Sequence, residues 1–355
     1  TSKTDEHMPR LRALLEENQR IASEHGHHIA RKYMPGGKGM VVRLRSDADK
    51  GTLWQRQFPV PSAHRVILRA EAKRLLEEGI VKKVTDHEYN SPYFLARNGL
   101  SWRACVDLRR QNEAAEDETN MSTTCDSVLD WAEAGEHPVQ LVTVVDLKAF
   151  FHQLPLESEA QPLTTFTDDV LGPLAFVRIP FGHKSAPSYS QRAIDNVLAD
   201  MRAFAKAYVD DIAIISRSDT ITPALVAEHA ERVAAVLTRL TEANLLVSAK
   251  KTHMFMTRAR LLGRLLQTGK HGGRLIQEEK KQQAMAWEQP RTGAQCRAFT
   301  GFVSYIRDNL PSIGDELGVL TPLTSVHGRL GNKWLPVHQD AFDSIKRKVS
   351  EGLMV

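Results

Sequence analysis

The chain is predicted to fold as an α+β protein, and three observations carry that expectation. Short, nearly continuous runs of β-branched and apolar residues at 139–145, 204–207 and 212–215 have the length of buried strands. Longer stretches, 223–243 above all, repeat their apolar residues at helical spacing. Strands and helices also interleave irregularly, without the strict strand–helix–strand alternation of a doubly wound sheet.

Taken in order, residues 9–32 read as a helix with Leu11, Leu14, Leu15 and Ile21 at helical spacing, broken by Pro35-Gly36-Gly37-Lys38-Gly39. That glycine cluster has neither the Walker spacing nor a preceding strand, so it is not a phosphate loop. His25-Gly26-His27-His28 reads as a solvated helix end in preference to a metal site. Residues 41–45 read as an isolated strand. Ser62 is placed to cap a helix running to Glu78, with Gly79 as its stop. Strands follow at 80–84, 93–97 and 102–106, the last two joined by an Asn98-Gly99 turn. Residues 113–118 form an acidic loop. Amphipathic helices come next at 188–202 and 223–243, the second with Leu225, Val233, Val236, Leu237 and Leu240 on one face. Two more, at 280–287 and 294–310, close the pattern, the latter capped by Thr292.

A chain of 355 residues holds two or three subdomains. Its three cysteines, Cys105, Cys125 and Cys296, are odd in number and far apart, which suits a reducing compartment and excludes a disulfide framework or zinc knuckle. No N-terminal segment has a signal peptide's apolar core, and no run approaches membrane-spanning length. Net charge is +4, but residues 246–300 alone carry eleven Lys and Arg against three Glu. A polyanion would feel that local surplus, the footprint of a nucleic-acid-binding subdomain.

The chemistry gathers around Tyr208-Val209-Asp210-Asp211, set between two of the apolar runs. Adjacent carboxylates at the tip of a buried hairpin repel each other unless protonated or neutralised by a metal. Alone, such a pair is more often a solvated turn. Asp146 changes the balance, because it ends the run at 139–145 and is therefore a third carboxylate delivered by a core strand.

Four segments in this order resemble the motifs of reverse transcriptases. Trp102-Arg103-Ala104-Cys105-Val106-Asp107-Leu108-Arg109 with Asn112 is similar to the fingers segment. Asp146, followed by Phe150-Phe151-His152-Gln153, is similar to the first carboxylate motif. Pro180-Phe181-Gly182-His183-Lys184-Ser185-Ala186-Pro187, running on to Gln191, resembles the Pro-Phe-Gly-x-x-x-Ala-Pro-x-x-x-Gln block, and the Asp-Asp hairpin is the fourth. Leu261-Leu262-Gly263 looks like the primer grip, and Phe299-Thr300-Gly301-Phe302 like the last thumb helix. The chain thus resembles the reverse transcriptase of a gypsy-type LTR retrotransposon, with retroviral enzymes as more distant relatives. It departs from the family pattern at His183, Ser185 and Leu108, where Leu, Asn and Tyr are usual.

The resemblance implies a right-hand polymerase with an antiparallel palm sheet. It places an N-terminal helical extension at 1–50, fingers at 51–117 and 154–185, palm at 118–153 and 186–269, and thumb at 270–310. A linker at 311–355 leads toward an RNase H domain that is not expected within this chain. It implies RNA- and DNA-templated DNA synthesis on RNA templates, DNA primer–templates and RNA–DNA hybrids, with dNTPs as substrates. Two Mg2+ ions, for which Mn2+ substitutes, would be held by Asp146, Asp210 and Asp211. Metal pairs of this kind sit about 3.5–4 Å apart and serve both the attacking and the leaving oxygen. Lys251, or its neighbour Lys250, matches a lysine that protonates pyrophosphate. Arg103 and Arg97 would hold the triphosphate, a planar guanidinium suiting both stacking and bidentate contact. Phe151 would exclude a ribose 2′-hydroxyl, while Gln191 and Lys184 face nucleotide or template. Lys280, Lys281 and Gly263 would hold the primer–template.

Related enzymes occur as monomers and as homodimers. Their workplace is the cytoplasmic element particle or the nucleus, and no membrane contact is expected. Two rivals remain: a palm-type RNA-dependent RNA polymerase, which bulky Phe151 opposes, and a domesticated, non-catalytic nucleic-acid-binding or scaffold protein, which the retained carboxylates and Arg103 oppose.

Overall fold

The computed structural model describes residues 2–25, 28–98, 101–117, 123–261, 264–269, 273–275, 278–307, 310 and 313–351. The chain divides into two compact units. One comprises Thr1–Trp131, Thr143–Ile214 and Val226–Met254; the other comprises Ala132–Val142, Ile215–Leu225 and Phe255–Val355.

The described residues open with α1 (Ser2–Asp5) and α2 (Met8–His25). Leu11, Leu15, Asn18 and Ala22 form the buried face of α2. The predicted helix to Lys32 stops early because tertiary partners capture the backbone. Ile29 N donates to Gln153 O at 2.9 Å and Ala30 N to Ala243 O at 2.8 Å. Residues 41–45 are not a strand either. Met40 bridges Leu156 and Leu44 bridges Ala115, two separate segments, so no continuous partner exists for a ladder. In α3 (Ser62–Glu77) Pro61, not Ser62, takes the cap position, and Gly79 ends the turn at φ +65°.

Strands β1 (Val81–Lys83), β2 (Tyr93–Asn98) and β3 (Ser101–Val106) follow, β2 and β3 pairing antiparallel with Ala96 opposite Arg103 and Arg97 opposite Trp102. The Gly99 half of the predicted turn lies outside the described residues. The start of the supposed acidic loop is helical. In α4 (Arg109–Ala114), buried Gln111 donates to Ser91 Oγ at 2.7 Å, and that bond holds the turn against the sheet. After α5 (Cys125–Glu133) comes β4 (Val139–Asp146), buried at every position. Strands β5 (Phe166–Asp168) and β6 (Gly172–Phe176) pair in the sheet β1–β6–β5. Helix α6 (Ala186–Val197), the hairpin β7 (Ala205–Tyr208) and β8 (Asp211–Arg217), helix α7 (Pro223–Glu242) and β9 (His253–Met256) complete the second sheet, ordered β7–β8–β4–β9. Helix α7 lies over β4, where Thr143 Oγ1 and His229 Nε2 share a buried 2.8 Å hydrogen bond. Burial pushes that imidazole down to about 3, so it stays neutral.

The second unit contains the sheet of β10 (Arg258–Leu261), β11 (Arg264–Gln267) and β12 (Gly273–Leu275). Four helices follow, α8 (Glu278–Met285), α9 (Gly293–Ile306), α10 (Gly314–Leu320) and α11 (Pro336–Glu351). Phe299, Val303, Leu320, Phe342 and Ile345 form their shared core. Thr292 caps α9 as expected, accepting from Gln295 N at 3.2 Å. Gly293 has no substitute, since a Cβ there would stand 2.1 Å from Val326 O. Among the described residues no helix is long and apolar enough to cross a membrane.

Candidate active site

Strand β4 delivers Asp146, and the β7–β8 turn delivers Asp210 and Asp211. Tyr208 and Asp211 are the last pair of the ladder, leaving Val209 and Asp210 as a two-residue turn. Val209 sits at φ +55°, a conformation that a β-branched residue adopts only at a cost of roughly 1–3 kcal/mol. Gln191 of α6 holds it there. Its Oε1 accepts from Val209 N at 2.8 Å and its Nε2 donates to Ala207 O at 3.0 Å. The turn is also sewn to β4, because Leu147 N donates to Asp210 O at 2.9 Å, and Ser248 N donates to Asp146 O at 2.7 Å.

Three carboxylates therefore converge with little to neutralise them. Asp146 Oδ2 lies 3.3 Å from Lys251 Nζ, while Oδ1 is buried and meets no hydrogen-bond partner among the described residues. Burial, then the charge on Asp146, raises the carboxyl of Asp210, partly offset by a backbone hydrogen bond at the turn and by Lys251. Burial, Asp210 and Asp146 together push Asp211 up to about 6, against the pull of Lys251. An orphaned buried carboxylate oxygen beside two carboxyls raised first by burial and then by neighbouring negative charge is the electrostatic signature of a cation site. Among the described residues no group of three or more His, Cys, Asp or Glu side chains stands close enough to form a cage that could hold a metal ion by itself. An ion such as Mg2+, which keeps water and substrate phosphate among its ligands, needs no such cage.

The remaining predicted residues divide. Phe151 is half-buried, its ring 5.4 Å from that of Phe181, whereas Phe150 is in the core. Arg103 and Arg97 are both exposed, yet the β2–β3 register puts them on opposite faces of the hairpin. The Arg97 face is the one α3 packs on, where Tyr93 Oη donates to Leu68 O and Trp102 meets His64. Lys184 Nζ is engaged by Ala115 O and Asp117 Oδ1, both at 2.7 Å. Lys280 Nζ stands over the rings of Phe302 and Tyr305, at 5.7 and 5.9 Å; its neighbour Lys281 is half-exposed. Gly263, and Gly26 and His27 of the histidine cluster, lie outside the described residues. Asp107 is paired with Arg109 and Asp168 caps its own turn, as structural roles require.

Sequence reasoning missed Gln153, whose fully buried amide joins Lys148 O and Leu246 O, and the left-handed Val209. No residue-type signal marks either.

Comparison with known proteins places these features in context. The family described as reverse transcriptase (RNA-dependent DNA polymerase) matches residues 61–284. The chain is similar to the retrovirus-related Pol polyprotein of the Drosophila melanogaster transposon gypsy, at 27% identity over 82% of this chain and 27% of that protein. It is similar to that of transposon opus from the same organism, at 28% over 89% of this chain and 32% of that protein. It also resembles the Gag-Pol polyprotein of feline leukemia virus, at 28% over 87% of this chain and 18% of that protein. The chain therefore spans a third or less of these polyproteins. Among solved structures, foamy viral protease-reverse transcriptase in complex with dsDNA shares the fold at a TM-score of 0.78 and 20% identity, covering 99% of this chain and 69% of that one. The same viral protein in complex with RNA/DNA hybrid gives 0.68 at 20% identity, over 96% and 44%.

Proposed function

The chain belongs to the reverse transcriptase (RNA-dependent DNA polymerase) family, and from that premise we propose that it extends DNA primers on RNA and DNA templates as the polymerase part of a retroelement polyprotein. The convergence of Asp146, Asp210 and Asp211 around an unpartnered buried carboxylate oxygen carries this reading. Subdomains are assigned as fingers at 51–117 and 154–185, palm at 118–153 and 186–269, and thumb at 270–310. The place of work is the cytoplasmic element particle or the nucleus.

Asp146 and Asp210 would hold the divalent ions, with Asp211 supporting them. Such ions activate the primer 3′-hydroxyl and neutralise the triphosphate. Lys251, largely exposed at the end of its turn and anchored to Asp146, is placed to give a proton to departing pyrophosphate. Arg103, on the open face of its hairpin, supplies a guanidinium for the triphosphate; Arg97, across the hairpin, would contact nucleic acid elsewhere. Gln191 acts on the hairpin backbone, so any effect on nucleotide is exerted through the turn it holds. Primer extension in Mg2+ and in Mn2+, on RNA and on DNA templates, is the deciding experiment. A folded protein that binds primer–template but extends nothing with either ion would be the scaffold protein instead.

Protons compete with metal for Asp211. Its carboxyl, raised to about 6, must ionise before it can support a cation. At limiting Mg2+ the rate is expected to fall as pH drops through about 6, and saturating Mg2+ should move that acid limb lower. An acid limb indifferent to metal concentration would remove Asp211 from the site.

Phosphate contact by Lys280 and Lys281 predicts a salt effect. Each contact contributes roughly 0.7–0.9 to the slope of log affinity against log salt. Replacing both with Gln should flatten that slope for DNA and RNA–DNA duplexes alike and leave nucleotide selectivity unchanged. If the two lysines serve only α8 and its aromatic neighbours Phe302 and Tyr305, Tm will drop while slope and affinity match the parent.

A further inference from the structure

Residues 245–248 form a short strand-like segment saturated on both edges. On one edge, Lys148 N donates to Leu246 O at 3.0 Å and Ser248 N to Asp146 O at 2.7 Å. On the other edge the partners are side chains of α2. Asn18 Nδ2 donates to Leu245 O at 2.8 Å, and Asn18 Oδ1 accepts from Val247 N at 2.9 Å. Gln19 Nε2 then donates to Val247 O at 2.7 Å. Backbone groups of a strand point alternately to its two sides, so α2 supplies the amides that a neighbouring strand would otherwise provide.

Asn18 is 2% exposed, and Leu245 and Val247 are each 1% exposed. Water has no access to replace the asparagine, and its loss strands a buried carbonyl and a buried N–H. The same segment runs directly into the turn Ala249–Lys251, where Lys251 N donates to Ser248 O at 3.0 Å and the side chain reaches Asp146. One segment thus sets the backbone of Asp146 and the approach of Lys251, and its outer edge is held from the N-terminal helix.

We propose that Asn18, seconded by Gln19, is a positioning residue for the Asp146–Lys251 pair, so that the N-terminal helix is a working part of the catalytic unit. The proposal rests on the polymerase reading above. A carboxylate misplaced by a fraction of an ångström from its productive geometry loses rate without losing substrate.

The test compares Asn18→Ala and Gln19→Ala with Leu11→Ala, a core truncation on the same helix whose side chain has no group to hydrogen-bond this backbone. Single-nucleotide kinetics, Mg2+ half-saturation and the rise in Tm produced by MnCl2 are measured on the full chain. Asn18→Ala is expected to lower kcat about tenfold or more with the dNTP KM within about twofold of the parent, by loss of alignment. It should also raise Mg2+ half-saturation and blunt the Mn2+ shift in Tm. Gln19→Ala should move the same quantities in the same direction by about two- to threefold, since it removes one bond of three and keeps the fold. Leu11→Ala should lower Tm alone. If both amide variants resemble Leu11→Ala in kcat, metal dependence and Mn2+ response, the positioning role is overturned. A parent chain that extends no primer sinks the polymerase reading instead. The Mn2+ response needs no polymerisation and judges the positioning role even then.

Discussion

Asp210→Asn is expected to abolish primer extension while raising the Tm of the metal-free protein. The two effects have one cause. Asp210 sits at a turn tied by its own carbonyl to Leu147 N, and its carboxyl is raised first by burial and then by the charge on Asp146. An amide of the same shape keeps the turn and removes one of three crowded negative charges. It also removes a strong metal ligand, so the rate should fall by about 10³-fold or more, roughly 4 kcal/mol at the transition state. Stability moves the other way, in a definite pH window. Asp211 is near 6 when folded and takes an ordinary value of about 3.9 when unfolded. Between those values the folded state binds more protons, so the metal-free parent loses stability as pH rises through the window. Removing the Asp210 charge lowers the Asp211 carboxyl and flattens that decline. Thermal scans at pH 4 and pH 7, beside extension assays in Mg2+, separate ligand from structural carboxylate. Extension at the parent's rate would take Asp210 out of the ligand set, and a Tm lowered equally at both pH values would deny the crowding.

The parts of this site that could be read in advance are those where pattern and chemistry coincide. Strand β4 is a nearly continuous apolar run, interrupted only by Gln140 and Thr143, because both of its faces are covered, and a carboxylate at its end stands out. The Asp210–Asp211 turn is marked by apolar runs on both sides. What escaped is held by polar groups that act on backbone. Asn18 interrupts an otherwise apolar helix face, and nothing in the local sequence says that the interruption meets Leu245 and Val247, far along the chain. Gln153 is hidden in the same way, and so is the hold of Gln191 on the backbone of Ala207 and Val209, although its motif marks Gln191 as a site residue. Arg97 and Arg103 illustrate a different limit. Period-two alternation separates their faces once the pairing register is known, but register depends on a turn whose geometry Asn98-Gly99 alone did not specify. The early end of α2 and the missing strand at 41–45 both arise where carbonyls of distant segments, Gln153 and Ala243 for the one and Pro155 and Ala114 for the other, take backbone donors that local propensity had assigned elsewhere.

Phe151→Val is expected to relax sugar selection, raising ribonucleotide over deoxyribonucleotide incorporation by about tenfold or more, since one decade needs only ~1.4 kcal/mol. Adjacent phenylalanines follow Asp146, and the structure separates their surroundings. They lie in the short 3₁₀ helix Phe150–Gln153, entered through Ala149 at φ +46°. With three residues per turn, neighbours in such a helix point about 120° apart. Phe150 is 2% exposed and belongs to the core, whereas Phe151 is half-buried against Phe181, itself 47% exposed. His152 meets Phe181 edge-on at 4.6 Å, so the exposed ring is braced from two sides. A braced aromatic ledge that follows Asp146 in the chain is the kind of surface that rejects a 2′-hydroxyl by contact alone. Valine shortens the ledge and keeps a branched apolar side chain, so the fold should survive. Phe181→Ala removes the support and leaves Phe151 in place. It should shift the same ratio in the same direction by less. Phe150→Val serves as the contrast, lowering Tm through a core cavity with the sugar ratio unchanged. Competition between matched ribo- and deoxyribonucleotides on one template measures all three variants. A folded Phe151→Val protein with the parent's ratio would return Phe151 to a packing role and leave sugar selection to another residue.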